Sequence, residues 1–87
     1  MDVTFSPNVL RELNALSAPL REEAIKKIGL FSKDPNSSSL KVHKLSGQLK
    51  GRYAFSVNYR TRIIFIYVSK LRRAYLEHVG GHELYEH

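Results

Sequence analysis

Apolar positions in the first third of the chain recur at helical spacing, and those after residue 52 alternate with period two. Val3-Thr4-Phe5 reads as a short opening strand. Ser6-Pro7 then reads as a helix start, because a serine hydroxyl can accept from free N–H groups and proline tolerates the first helical position. Val9, Leu10, Leu13 and Leu16 follow on one side, with Arg11, Glu12 and Asn14 between them. Ser17-Ala18-Pro19 repeats the punctuation and opens a second helix. Its Leu20, Ala24, Ile28 and Phe31 stack on one face, widened by Ile25. Arg21, Glu22, Lys26 and Lys27 take the wet side, and Gly29 weakens the helix towards its end. The pattern predicts a helical hairpin.

Lys33-Asp34-Pro35-Asn36-Ser37-Ser38-Ser39 is turn chemistry. Leu45-Ser46-Gly47-Gln48-Leu49-Lys50-Gly51 is a second loop, with glycines where positive φ is expected. Tyr53, Phe55 and Val57 alternate with Ala54, Ser56 and Asn58, which predicts a half-buried strand, and Asn58-Tyr59-Arg60 predicts a hairpin turn. Arg62-Ile63-Ile64-Phe65-Ile66-Tyr67-Val68 is nearly all β-branched or aromatic, as in a central strand covered on both faces. Ser69 to Arg72 turns the chain, and Ala74 to Val79 forms the last strand, ending at Gly80-Gly81. The order is β-α-α-β-β-β. It predicts an α+β fold: a helical hairpin on one face of an antiparallel meander, with the first strand beside that meander.

Eighty-seven residues suffice for one core, so residues 1–87 are read as a single domain. Without cysteine there is no disulfide framework and no zinc–thiolate site. No apolar run approaches the roughly 20 residues that span a bilayer, and the N-terminus lacks the order of a signal peptide, so a cytoplasmic location is expected. The formal net charge is +6, carried entirely by residues 41–87, while residues 1–40 balance to zero. All four histidines lie in that basic half. A one-sided cationic half favours a polyanion or an acidic protein as partner.

Several motifs carry a resemblance to a known family. They are His43-Lys44-Leu45-Ser46-Gly47, Leu49-Lys50-Gly51-Arg52-Tyr53, the run from Phe55 to Phe65, and Val79-Gly80-Gly81-His82 followed by Tyr85. In this order and at this length the chain resembles the RelE/ParE toxin superfamily, and more narrowly the RelE/StbE-type mRNA interferases, from Val3 to about the C-terminus. The resemblance implies a microbial-RNase-like fold and an endoribonuclease that acts on mRNA, often in the ribosomal A site. It also implies a neighbouring, acidic antitoxin that wraps and neutralises the toxin.

The resemblance further implies roles for particular residues. Arg62 takes the place of an arginine that contacts the scissile phosphate; its guanidinium offers a planar fork of donors and a permanent charge. His82 matches a catalytic or phosphate-binding position, and an imidazole exchanges protons near neutral pH. Tyr85 matches an aromatic residue that stacks on a base or orients the sugar–phosphate. Lys44, Lys50, Arg52 and Arg60 would line an RNA groove, with His43 as a lower-ranked general base. One departure matters: where some relatives carry two lysines on the first meander strand, this chain has Ala54, Ser56 and Asn58.

No metal or other cofactor is expected. In His82-Glu83-Leu84-Tyr85-Glu86-His87 the second histidine falls one residue too late to share a helix face with the first, so zinc-protease geometry fails. No strand–glycine loop–helix unit offers a nucleotide cradle. The resemblance, with no metal required, implies RNA cleavage by the 2′-hydroxyl route. The alternatives are a gyrase-poisoning toxin without nuclease activity and a catalytically weak, antitoxin-binding homologue.

Overall fold

The computed structural model describes residues 1–68, 72–81 and 84. Strand β1 (Asp2–Phe5) leads into helices α1 (Pro7–Ala15) and α2 (Ala18–Lys33). Strands β2 (His43–Lys44), β3 (Tyr53–Ser56), β4 (Arg62–Val68) and β5 (Arg73–Gly80) follow. Single 3-10 turns at Ser38–Leu40 and Gly47–Leu49 flank β2.

Both helices start where the serine–proline pairs predict. The Ser6 hydroxyl accepts from the Val9 N–H at 3.0 Å, and that of Ser17 from Leu20 at 3.4 Å. Ser6 is buried and also donates to the Glu77 carbonyl at 3.0 Å, so one hydroxyl caps α1 and ties it to β5. Arg21, expected on the wet side, instead reaches back from α2. It donates to the carbonyls of Leu13 (3.2 Å), Asn14 (3.4 Å) and Leu16 (3.0 Å). The Leu13 carbonyl also accepts the Leu16 N–H at 3.2 Å, and carbonyls at a helix end have no partner one turn on, so this one guanidinium closes the hairpin.

The sheet order is β1-β5-β4-β3-β2, with β1 parallel to β5 and all other neighbours antiparallel. The helices cover one face. Val9, Leu13, Ala24, Ile28 and Phe31 pack there on Phe55, Val57, Ile63, Phe65, Ala74, Leu76 and Val79. Phe31 is the hub: its ring stacks on Phe55 at 4.6 Å and tilts onto Phe65 at 4.8 Å. Burying one such ring contributes about 1.5–3 kcal/mol by transfer alone, which fixes α2 on the sheet.

The predicted helical stripes prove narrower in the structure. Leu10 is 49% exposed and Ile25 51% exposed. Each follows a fully buried residue, Val9 or Ala24, and so lies about 100° further round its helix, away from the sheet. Strand β3 departs in the other direction. Ala54 and Ser56 are buried along with Phe55, so this strand is covered on both faces. In β4 the double cover holds for Ile63, Ile64 and Phe65, but Tyr67 at the far end is 40% exposed. Partial burial, and then the neighbouring Tyr53, push the Tyr67 phenol above its ordinary pKa. The edge strand β2 was not predicted. Two residues are too few to show a period, and only pairing with β3 defines them as a strand. No helix among the described residues is long and apolar enough to cross a membrane.

Candidate functional site

Antiparallel register fixes which side chains share the sheet face opposite the helices. His43 pairs with Ala54, Ala54 with Ile64, and Ile64 with His78, so these four form one cross-strand row. The next row is Ser56, Arg62 and Gly80. Over this face lies an open cavity of about 690 Å³. Its walls are Ile64, His78, Val79 and Gly80 from the sheet, Glu12, Ala15 and Leu16 from α1, Gln48, Leu49 and Arg52 from the loop before β3, and Leu84.

Two local devices build this cavity. The first is the loop. Gly47 (φ 66°) and Gly51 (φ 92°) adopt the left-handed backbone that side chains disfavour. The Leu45 N–H donates to the Arg52 carbonyl at 2.9 Å, and the Arg52 N–H to the Leu49 carbonyl at 3.0 Å. The loop therefore closes on itself and presents Gln48, Leu49 and Arg52 to the cavity. The second device is a bulge in β5. Ile64 pairs with His78 but Phe65 pairs with Leu76, leaving Glu77 as an extra residue. A bulge re-aims side chains, so consecutive residues can serve one face, which a regular pleat forbids. Glu77 accepts from Arg52 Nε at 2.7 Å, and His78 lines the cavity beside that arginine.

The charges are paired rather than free. In the Arg52–Glu77 pair the side chains are 38% and 20% exposed. His78 Nδ1 lies 3.1 Å from Glu12 Oε2, with side chains 41% and 33% exposed. The other Glu12 oxygen accepts the Val79 N–H at 3.0 Å. That N–H lies just past the β1–β5 pairing, which ends at Phe5 and Leu76. Glu12 thus takes over the edge of β5 where β1 has stopped.

The residues singled out from the sequence fall into separate groups. Lys44, Lys50 and Arg52 line a second cavity of about 450 Å³, with Gly47, Gly51 and Tyr53. Arg52 belongs to both cavities. Arg62 starts β4 on the open face opposite Gly80, and its Nη1 donates to the Tyr59 carbonyl at 3.1 Å. Arg60 lies with it at the β3–β4 turn, its guanidinium 5.3 Å from the centre of the Tyr59 ring. Asn58 shapes that turn by accepting the N–H groups of Arg60 (2.9 Å) and Thr61 (2.8 Å). The basic residues expected to form one groove therefore divide between the two ends of β3. His43 is exposed on the edge strand, its Nδ1 2.9 Å from the Lys41 carbonyl. His82 and Tyr85 lie outside the described residues.

Sequence reasoning missed Glu12, Glu77 and His78. A signal for the bulge existed: apolar residues fall at Ala74, Leu76 and Val79, and the skipped step marks one residue too many. Nothing local marks Glu12, which reads as an ordinary helix-surface carboxylate.

No protein-family model and no curated protein matches the sequence. Solved structures do match. The toxin–antitoxin complex RelBE2 from Mycobacterium tuberculosis superposes with a TM-score of 0.76 at 16% identity, over 92% of this chain and 95% of that one. YafQ from E. coli gives 0.76 at 16% identity, over 99% and 98% of the two chains. This chain has the fold of the RelE/ParE-type toxins. A YoeB/ParE toxin from Agrobacterium tumefaciens gives 0.75 at 14% identity, over 94% and 99%. The toxin fold thus accounts for nearly the whole chain, in agreement with the α+β arrangement and the motifs read from the sequence.

Proposed function

We propose that this chain is the toxin of a toxin–antitoxin pair and that it cleaves RNA. One observation carries the reading. An open cavity lies between the sheet face opposite the helical hairpin, the end of α1 and the loop before β3, and it holds the Arg52 guanidinium and the His78 imidazole in its wall. A cavity so lined suits a phosphodiester, because the cation matches the charge that develops on phosphorus oxygens while the imidazole exchanges protons. The second, lysine-lined cavity adjoins it through Arg52 and gives the RNA backbone a further contact.

In this mechanism the ribose 2′-hydroxyl attacks its own 3′-phosphate and the bond to the next 5′-oxygen breaks. The products are a 2′,3′-cyclic phosphate and a 5′-hydroxyl. Arg62 clamps the phosphate, His82 exchanges protons, and Tyr85 orients the substrate. Lys44, Lys50, Arg52 and Arg60 position the strand, and His43 waits at the edge. The ribosome presents the message, so a sparse set of groups suffices. The antitoxin is an acidic protein that covers the basic half. Support for a partner comes from the Mycobacterium tuberculosis relative, seen in a toxin–antitoxin complex.

The test combines the chain with translating ribosomes and mRNA, beside Arg62→Ala. Cleaved message ending in cyclic phosphate, and much less of it with the variant, is the expected result. Intact message at toxin levels matching the ribosomes overturns the reading. DNA damage on expression, with message intact, would move it to gyrase poisoning.

A further inference from the structure

We infer that His78 is the base that removes the 2′-hydroxyl proton and that Glu12 is its positioning residue. The inference rests on the ribonuclease reading and adds to it a residue pair that no sequence motif marks.

The Glu12 carboxylate can only accept, so the His78 nitrogen 3.1 Å away must be the one that carries hydrogen. The neutral ring then has its lone pair on Nε2. Among the described residues nothing bonds to that nitrogen, and the ring lines the cavity beside Arg52. The Val79 N–H holds the other Glu12 oxygen, so the carboxylate is fixed from two sides before substrate arrives. A carboxylate so placed does two things. It sets the tautomer and orientation of the ring, and it stabilises the imidazolium that proton transfer creates.

His43 shares the row but not this arrangement. Its Nδ1 meets a neutral carbonyl on the exposed edge, and it does not line the cavity. His78 instead faces charged groups from every element around it: Glu12 from α1, Glu77 beside it on β5, Arg52 from the loop, and Arg62 on the same face of β4. The two guanidiniums attract the phosphate.

The step balances as follows. Nε2 takes the 2′-hydroxyl proton as the 2′-oxygen bonds to phosphorus. The bond from phosphorus to the 5′-oxygen breaks, and that oxygen takes a proton from His82 or from water. Solvent then removes the proton from His78.

The experiment measures cleavage of ribosome-bound message against pH for wild type, His78→Ala and Glu12→Gln, each checked for folding by its melting curve. His78→Ala should lose about 10²–10⁴-fold in kcat, with KM little changed and partial rescue by free imidazole. Glu12→Gln keeps an acceptor for Val79 but turns an N–H towards His78, which favours the opposite tautomer. It should lose activity and shift the ascending limb of the pH profile. Cleavage by His78→Ala within a few-fold of wild type overturns the inference and leaves the ribonuclease reading standing. So does a loss that imidazole does not restore, with the pH profile of Glu12→Gln unmoved. Failure of the wild type itself to cleave overturns both.

Discussion

Glu77→Gln should tighten RNA binding, and the geometry sets the size of the effect. Glu77 Oε1 lies 2.7 Å from Arg52 Nε, on the edge of a guanidinium whose other donors remain to meet a phosphate. A phosphate bound there would stand about 6–7 Å from the carboxylate, where two unit charges in water repel by on the order of 0.6 kcal/mol. Removing the carboxylate charge then strengthens binding about threefold. The amide oxygen still accepts from Arg52, so the guanidinium keeps its place. The pair is partly exposed, so its loss should cost stability less than about 1 kcal/mol. The assay is fluorescence anisotropy with a 2′-deoxy oligonucleotide, which cannot be cleaved by this route, over a salt series. The gain should be largest at low salt and fade as the Debye length falls from about 10 Å at 0.1 M to about 3 Å at 1 M. An unchanged Kd at low salt refutes the reasoning, because Arg52 then makes no contact with the RNA backbone. A gain that persists in an Arg52→Gln background refutes it too.

Three further outcomes follow from the packing. Phe31→Ala empties the hub between Phe55 and Phe65, and should cost about 3–5 kcal/mol, lowering Tm by tens of degrees in calorimetry. A fall below about 5 °C would mean that α2 is not seated on the sheet. Ser6→Ala removes the α1 cap and the tie to Glu77, and should cost about 1–2 kcal/mol in urea denaturation, with an unchanged midpoint counting against the cap. Tyr67 has its phenol pKa raised in the folded state, so folding favours the protonated form. Its contribution is fully present below the unfolded pKa of about 10 and is lost as pH rises through the higher folded value. Alkaline melts of wild type should therefore fall more steeply than those of Tyr67→Phe, and parallel curves would refute the shift.

The parts of this fold legible in the sequence are those that short-range chemistry decides. Ser6-Pro7 and Ser17-Ala18-Pro19 mark helix starts because the cap needs only residues within one turn. Gly47 and Gly51 mark a tight loop because the left-handed backbone excludes most side chains. The β3–β4 turn is legible at Asn58, whose side chain satisfies its own neighbours. Stripe width was less legible. Leu10 and Ile25 fit a helical period, yet only the position of the sheet decides how much of the circumference is covered.

The candidate site divides the same way. Arg62 and the basic loop stood out because charge and motif order are properties of the chain. Glu12 and His78 are 66 residues apart, and Arg52 and Glu77 are 25 apart. Arg52 is marked by its motif, but nothing local marks Glu12, Glu77 or His78 as its neighbours, and only the register of β5, with its bulge, brings these groups together. The sequence by itself determined the element types, the helical hairpin and a cationic second half, because periodicity, capping and charge act between near neighbours. The tertiary structure alone decided which charges neutralise one another and which face the cavity. Electrostatic pairing depends on distance in space, and the strand register that sets those distances is fixed by burial of the whole core.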